Sequence, residues 1–211
     1  MATDFWLIRH GETDWNRAKR YQGSADQPLN EIGRAQAATL IPRLEQIEYQ
    51  AAYASDLWRV RETAQIALGN TDQVAFDARL RELSFGIFEG LTHAQIKEEY
   101  PQIYAEWDRK LFTNAPHGGE DIFQIKERVG TFFAEIRARH EGQTVLIFGH
   151  GGIFGVLLCL SLGLHPGMWR QYHFSNCSVS HLEHTPGGYI LQSMNDVCHL
   201  DGLDTQHGVM G

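Results

Sequence analysis

Two short apolar runs in this chain each lead into a histidine followed by glycine. Phe5-Trp6-Leu7-Ile8 runs into Arg9-His10-Gly11-Glu12-Thr13, and Thr144–Phe148 runs into Gly149-His150-Gly151-Gly152. Both runs read as strands, and the second pair of glycines opens a segment apolar nearly all round, hence a buried helix. Strand and helix signals alternate along the rest of the chain. That alternation restricts the fold to an α/β layered architecture with a mostly parallel sheet.

The first strand reads as Phe5–Arg9. Ala37, Leu40, Ile41 and Leu44 form the stripe of an amphipathic helix beginning near Asn30 or Glu31, which Pro42 is expected to kink or restart. Ala51–Ser55 reads as a strand, with Asp56 as cap of a helix through Ala67, and Val74–Phe76 as a weaker strand. Thr92 caps a further helix broken near Pro101, and residues 115–119 form a loop. Ile122, Ile125, Val129, Phe132, Phe133 and Ile136 mark a clear amphipathic helix. Val179–His184 and Tyr189–Met194 flank Pro186-Gly187-Gly188 as a hairpin or edge pair. Residues from about Asp201 to Gly211 read as a loose polar tail.

At 211 residues and 43% hydrophobic content, the chain suits one domain over residues 1–211. A net charge of −8 argues against nucleic acid as partner, though an anionic ligand needs only a local positive pocket. The longest apolar stretch, 153–164, is about a dozen residues and too short to span a bilayer, so no membrane association is expected. No secretory leader opens the sequence. Cys159, Cys177 and Cys198 are an odd count without CxxC spacing, which reads as free thiols in a reducing cytoplasm, with Cys177 and Cys198 expected to be buried.

His10, Arg59 and His150 all fall at or just beyond predicted strand ends, the edge where open α/β sheets bind ligands. An imidazole is a nucleophile at neutral pH, and a guanidinium matches phosphate oxygens as a fork. With His10 as nucleophile, one ring nitrogen is held as N–H by a backbone carbonyl and the other attacks phosphorus. Arg9, Arg59 and a protonated His150 are expected to form a positive wall, with donors added by the N–H groups of Gly11 and Gly151. Glu82 is the candidate acid for the leaving alkoxide and then the base for water. Each of these residues also has an ordinary reading: a packing histidine, a solvated helix face, a surface ion pair between Arg81 and Glu82. Their shared order and strand-end placement favour the chemical one.

Arg9-His10-Gly11-Glu12-Thr13-Asp14-Trp15-Asn16, Tyr21-Gln22-Gly23, Ser55-Asp56-Leu57-Trp58-Arg59, the segment Leu80 to Gly90 and Gly149-His150-Gly151-Gly152 together resemble the histidine phosphatase superfamily, from Phe5 to about Asp196. The resemblance implies a three-layer α/β/α sandwich of the phosphoglycerate mutase type. It implies His10 as the phosphorylated nucleophile, Arg9, Arg59 and His150 as the phosphate pocket, and Glu82 as proton donor. It further implies that Asn16, Gln22 and Gly23 contact phosphate or substrate. No metal and no organic cofactor is expected.

Within that resemblance the compact spacing from Glu82 to His150 is similar to broad-specificity and α-ribazole phosphatases. A mutase must retain a bisphosphate and exclude water, which calls for extra cations. Residues 92–119 offer Lys97, Arg109 and Lys110 against Glu98, Glu99, Glu106 and Asp108. Tyr100, Tyr104, Trp107, Leu111 and Phe112 read either as an apolar helical lid or as the core-facing side of two helices. The sequence therefore favours hydrolysis of a small phosphate monoester over mutase activity, and either over a non-catalytic phosphate-binding scaffold. The apolar faces leave room for a homodimer. His181 and His184 fall on opposite faces of a strand, which disfavours a shared metal.

Overall fold

The computed structural model describes residues 1–109 and 115–203, so Lys110, Leu111, Phe112 and most of the expected tail lie outside the described residues. Six strands form one sheet: β1 (Thr3–Arg9), β2 (Ala51–Ala54), β3 (Val74–Phe76), β4 (Thr144–Gly149), β5 (Val179–Thr185) and β6 (Gly188–Asp196). Their order is β3-β2-β4-β1-β5-β6. β1 to β4 are mutually parallel and β5 and β6 are antiparallel additions.

The described helices are α1 (Asp14–Arg17), α2 (Glu31–Leu44), α3 (Trp58–Leu68), α4 (His93–Glu99), α5 (Pro101–Arg109), α6 (Ile122–Arg139) and α7 (Gly151–Ser161). Side-chain alternation along the strands builds two cores. Phe5, Leu7, Val145 and Ile147 point to the side of α6 and α7, where they meet Val129, Phe132, Phe133, Ile153 and Phe154. Ile8, Leu146 and Phe148 point to the other side, against Ala37 and Leu40 of α2 and Val60 and Ala64 of α3. The result is a three-layer α/β/α sandwich with a mostly parallel sheet, as expected.

Several local expectations need correction. Pro42 neither kinks nor restarts α2, which runs on to Leu44. It sits in the last turn on an exposed face, where the Ala38 carbonyl that its missing N–H would have bonded is on the solvent side. Asp56 does not cap α3. Its carboxylate takes a bidentate pair from Arg81 at 2.7 and 2.6 Å, and Asp26 Oδ1 accepts the Trp58 N–H instead. Cys198 is exposed, because the short turn 198–200 buries Leu200 in its place, whereas Cys159 and Cys177 are buried; all three are free thiols. Tyr104 and Trp107 belong to the core, packed against Tyr21, Phe85 and Phe88, which is the core-facing reading of those aromatics.

Other elements follow their sequence signals. Thr92 and Gln95 close a capping box on α4, and Asp121 and Gln124 close one on α6. Asn30 caps α2 through the Gly33 N–H at 2.8 Å. That cap matters for function, because the first turn of α2 lies directly on the turn after β1. A Cβ at Gly33 would stand 2.0 Å from the Glu12 carbonyl oxygen. Among the described residues no helix is long and apolar enough to cross a membrane.

Gly33→Ala is expected to cost about 1–3 kcal/mol of unfolding free energy, because the turn or the helix must shift to admit the methyl group. Denaturant unfolding measures this, and a neutral effect would show that the two backbones do not meet.

Candidate active site

β1 and β4 run side by side in register, with Arg9 opposite Gly149, so the residues that follow them emerge together. The His10 N–H donates to the Gly149 carbonyl at 3.1 Å. The two imidazoles lie with ring centroids 5.2 Å apart, both buried. Ser55 follows β2, the other neighbour of β4, and its N–H bonds the Phe148 carbonyl at 3.1 Å. Adjacent strand ends thus deliver His10, His150 and Ser55 to one edge.

His10 Nδ1 is 2.7 Å from the Gly11 carbonyl. A carbonyl only accepts, so Nδ1 carries the proton and Nε2 keeps its lone pair. The His10 carbonyl is latched by Asn176 Nδ2 at 3.0 Å and the Cys177 N–H at 3.2 Å. Gly11 departs from expectation: its N–H donates to Thr63 Oγ1 at 3.0 Å, so it positions the turn and has no donor to spare for an anion. Glu12 ties the turn down further, accepting from Asn30 at 2.8 Å and Arg17 at 3.0 Å while its N–H bonds Gln36.

Arg59, on α3, is fully buried and donates to the carbonyls of Gly23 and Ala25, each at 2.8 Å. Gly23 supplies this carbonyl from a left-handed turn, φ 54°, where a Cβ would stand 2.2 Å from Glu89 Oε1. Arg9 donates to the Phe174 carbonyl. After these contacts Arg9 Nε, Arg59 Nε and His150 Nδ1 remain buried without a partner. Buried donors left unpaired are costly, and three of them on basic groups around one imidazole suit an anion.

Glu82 accepts from the Leu83 N–H at 3.0 Å and from the Gly152 N–H, in the first turn of α7, at 3.2 Å. It does not pair with Arg81, which is engaged by Asp56. Gly151 opens α7 against the Arg9 guanidinium; a Cβ there would lie 3.5 Å from Nε. Asn16 and Gln22 turn their carbonyl ends inward to protein donors. Asn16 Oδ1 accepts from Thr13 and Asn176, and Gln22 Oε1 from Thr13 Oγ1 at 2.9 Å, which leaves both amide NH2 groups for a ligand.

Electrostatics correct one expectation. His150 is not a standing cation: burial first, then Arg59, His10 and Arg9, hold it well below the usual imidazole range. His10 is likewise held well below that range, by burial first and then by Arg59 and Arg9, against the Gly11 hydrogen bond. Both are neutral in the unliganded site. Ser55 Oγ, 3.0 Å from His150 Nε2 and accepting from the Leu57 N–H, can donate its proton to Nε2; that leaves the ring proton on the unpartnered Nδ1. The positive wall is therefore the two arginines. Burial lowers both, Arg59 to about 10 with Glu82 opposing, so both stay charged at neutral pH.

Sequence reasoning missed Thr63, Asn176 and Ser55 as working residues, although Ser55 stood within a noticed motif. Asn176 carries a faint signal, a polar Ser175-Asn176-Cys177-Ser178 run entering a strand. His181 and His184 serve packing: His181 bonds Asp4 at 2.6 Å and stacks on Trp6, and His184 lies against Tyr189. Among the described residues no group of three His, Cys, Asp or Glu side chains is arranged to hold a metal ion.

Comparison with known proteins agrees with this geometry. The chain is similar to Bacillus stearothermophilus YhfR, at 34% identity and TM-score 0.85, over 94% of this chain and 100% of that one. It is similar to the alpha-ribazole phosphatase from Shigella flexneri, at 27% identity and TM-score 0.84, over 92% and 96%. It is 32% identical over 206 residues to the Escherichia coli O1:K1 protein named "Probable phosphoglycerate mutase GpmB", over 93% of this chain and 94% of that protein. The family model for the histidine phosphatase superfamily (branch 1) matches residues 5–197, and the chain belongs to that family.

Proposed function

We infer that this protein hydrolyses small phosphate monoesters through a phosphohistidine on His10, without a metal ion. The observation that carries the reading is the fixed tautomer of His10 beside buried, unpartnered donors on Arg9, Arg59 and His150. A phosphoryl group entering there satisfies those donors. Its charge also favours protonation of His150.

Nε2 attacks phosphorus, an N–P bond forms, and the ester P–O bond breaks with its electron pair going to the leaving oxygen. Glu82, a carboxylate at rest, takes up the acidic proton of the ester monoanion and passes it to that oxygen, and the alcohol departs. Water then attacks phosphorus while Glu82 takes its proton. The N–P bond breaks, its electron pair returns to Nε2, and inorganic phosphate leaves. Charge on the transferring group is met throughout by two buried guanidiniums, where such contacts are stronger than in open water.

A second reading, phosphoglycerate mutase, is favoured by the likeness to the GpmB protein. Hydrolysis is preferred on the likeness in structure to phosphatases, among them the alpha-ribazole phosphatase from Shigella flexneri at TM-score 0.84. The substrate class is a small monoester in the cytoplasm, with no nucleic-acid or membrane partner.

His10→Ala is expected to abolish phosphate release, and the acid-labile phosphoryl adduct expected in the parent enzyme by intact mass should be absent from the variant. A chelator should change neither, and full activity in the variant would end the assignment. With phosphoglycerate as substrate, release of phosphate should outpace isomerisation with or without a bisphosphoglycerate primer. Faster primer-dependent isomerisation would reverse the choice between the two readings.

The neutral imidazoles also set a pH dependence for stability. Unfolded histidines titrate near 6.5, and His10 and His150 titrate well below that when folded. As pH falls below about 6.5 the unfolded chain takes up protons that the folded chain refuses, so stability is lost. Each group adds a slope of up to about 1.4 kcal/mol per pH unit until its lowered folded value is reached. Denaturant unfolding of phosphate-free protein over this range measures the slope, which His150→Asn should make shallower; an unchanged slope would count against a buried neutral His150.

A further inference from the structure

Glu82 sits on irregular chain between two single-turn helices, 78–80 and 86–88, so no regular element fixes it. One side chain from α6 gathers its carbonyl and two carbonyls before it. Arg128 Nη1 donates to the carbonyls of Arg79 and Arg81, each at 2.8 Å, and Nη2 donates to the carbonyl of Glu82 itself at 3.2 Å. The same guanidinium is gripped by Glu120 through a fork, Nε to Oε1 and Nη2 to Oε2, both 2.7 Å. Glu120 completes the loop, because its Oε2 accepts the Ser84 N–H at 3.0 Å and its own N–H donates to the Ser84 carbonyl at 3.0 Å.

The backbones around this pair are packed to contact. A Cβ at Gly119 would stand 2.7 Å from the Ser84 carbonyl oxygen, and one at Gly86 would stand 2.2 Å from the His117 carbonyl oxygen. On the far side a Cβ at Gly152 would meet Glu82 Oε1 at 2.5 Å. The carboxylate is therefore confined between α7 and a chain segment whose position depends on Arg128. The guanidinium is well suited to this, since its planar fork serves three carbonyls and a carboxylate at once; an ammonium has three donors on one atom and cannot span them.

We propose that Arg128, locked by Glu120, is the positioning residue for the proton donor: it fixes the 79–84 segment so that Glu82 meets the oxygen leaving phosphorus. The inference rests on the reading of Glu82 as proton donor. It assigns Arg128 and Glu120 no contact with substrate. Their loss should fall on protonation of the leaving group and should leave phosphate binding nearly intact.

Proton donation matters most when the leaving group is a poor one. An alkyl phosphate needs the acid, whereas p-nitrophenyl phosphate expels a stable phenolate nearly unaided. Arg128→Lys and Glu120→Gln are therefore assayed on glycerol phosphate and on p-nitrophenyl phosphate, with Glu82→Gln in parallel. In both clamp variants kcat/KM for the alkyl ester is expected to fall by about tenfold or more, with less than about a twofold change in kcat/KM for the aryl ester and in inhibition by inorganic phosphate. Equal losses on both esters, or no loss, would overturn the proposal, as would loss of folded structure by circular dichroism in both clamp variants. Glu82→Gln separates the two levels. If it is not selective for the alkyl ester, the donor assignment fails; if it is selective and the clamp variants are not, only the role of Arg128 fails.

Discussion

The parallel register between β1 and β4 is the constraint on which the site depends. Arg9 opposite Gly149 puts residues 10 and 150 at one level of the sheet, and the His10 N–H to Gly149 carbonyl bond carries the pairing one residue past the strand. A slip of β1 by one residue against β4 would send Leu7 to the face of α2 and α3, and Ile8 to that of α6 and α7. Because both faces are buried, the two hydrophobic cores hold the register. The meeting of the two imidazoles is thus a consequence of apolar packing far from either ring.

Assembling basic groups in a dry site is costly, and the molecule limits that cost in two ways. Both histidines are kept neutral, so the full positive charges beside His10 are those of Arg9 and Arg59. Glu82 supplies a nearby negative charge that acts on both arginines. The buried donors left without a protein partner suit an anion. A neutral imidazole is also the nucleophilic form, so the burial that suppresses the charge of His10 suits the proposed attack.

Much of this was legible in the sequence because it rests on local patterns. The strand ends at His10 and His150, the stripe of α6 and the capping residues Asn30, Thr92 and Asp121 are all signals within a few neighbouring residues. What escaped depends on contacts between distant segments. Asp26 takes over the cap that Asp56 would have supplied, because Arg81 claims Asp56 from 25 residues away. Gly11 lost its expected donor role to Thr63, 52 residues on. The charge of His150 was misjudged because a count of neighbouring residues carries no desolvation, which is the first cause of its shift. The fold was readable from periodicity, whereas the hydrogen-bond partners required three dimensions.

The arginines of this chain sort by what holds them, and that sorting explains why a protein of net charge −8 keeps a positive site. Arg79 is paired with Asp77 and Glu135, Arg81 with Asp56, and Arg128 with Glu120. In each case a carboxylate cancels the charge, and the side chain acts as a strut. Arg9 and Arg59 are instead fixed by main-chain carbonyls of Phe174, Gly23 and Ala25. A carbonyl orients a guanidinium through its dipole but adds no net negative charge, so the full cation remains for a ligand. Neutral anchors give the rigidity that electrostatic catalysis needs without consuming the field that performs it. The loops that carry those carbonyls, 22–25 and 173–178, are therefore as much part of the site as the side chains they hold.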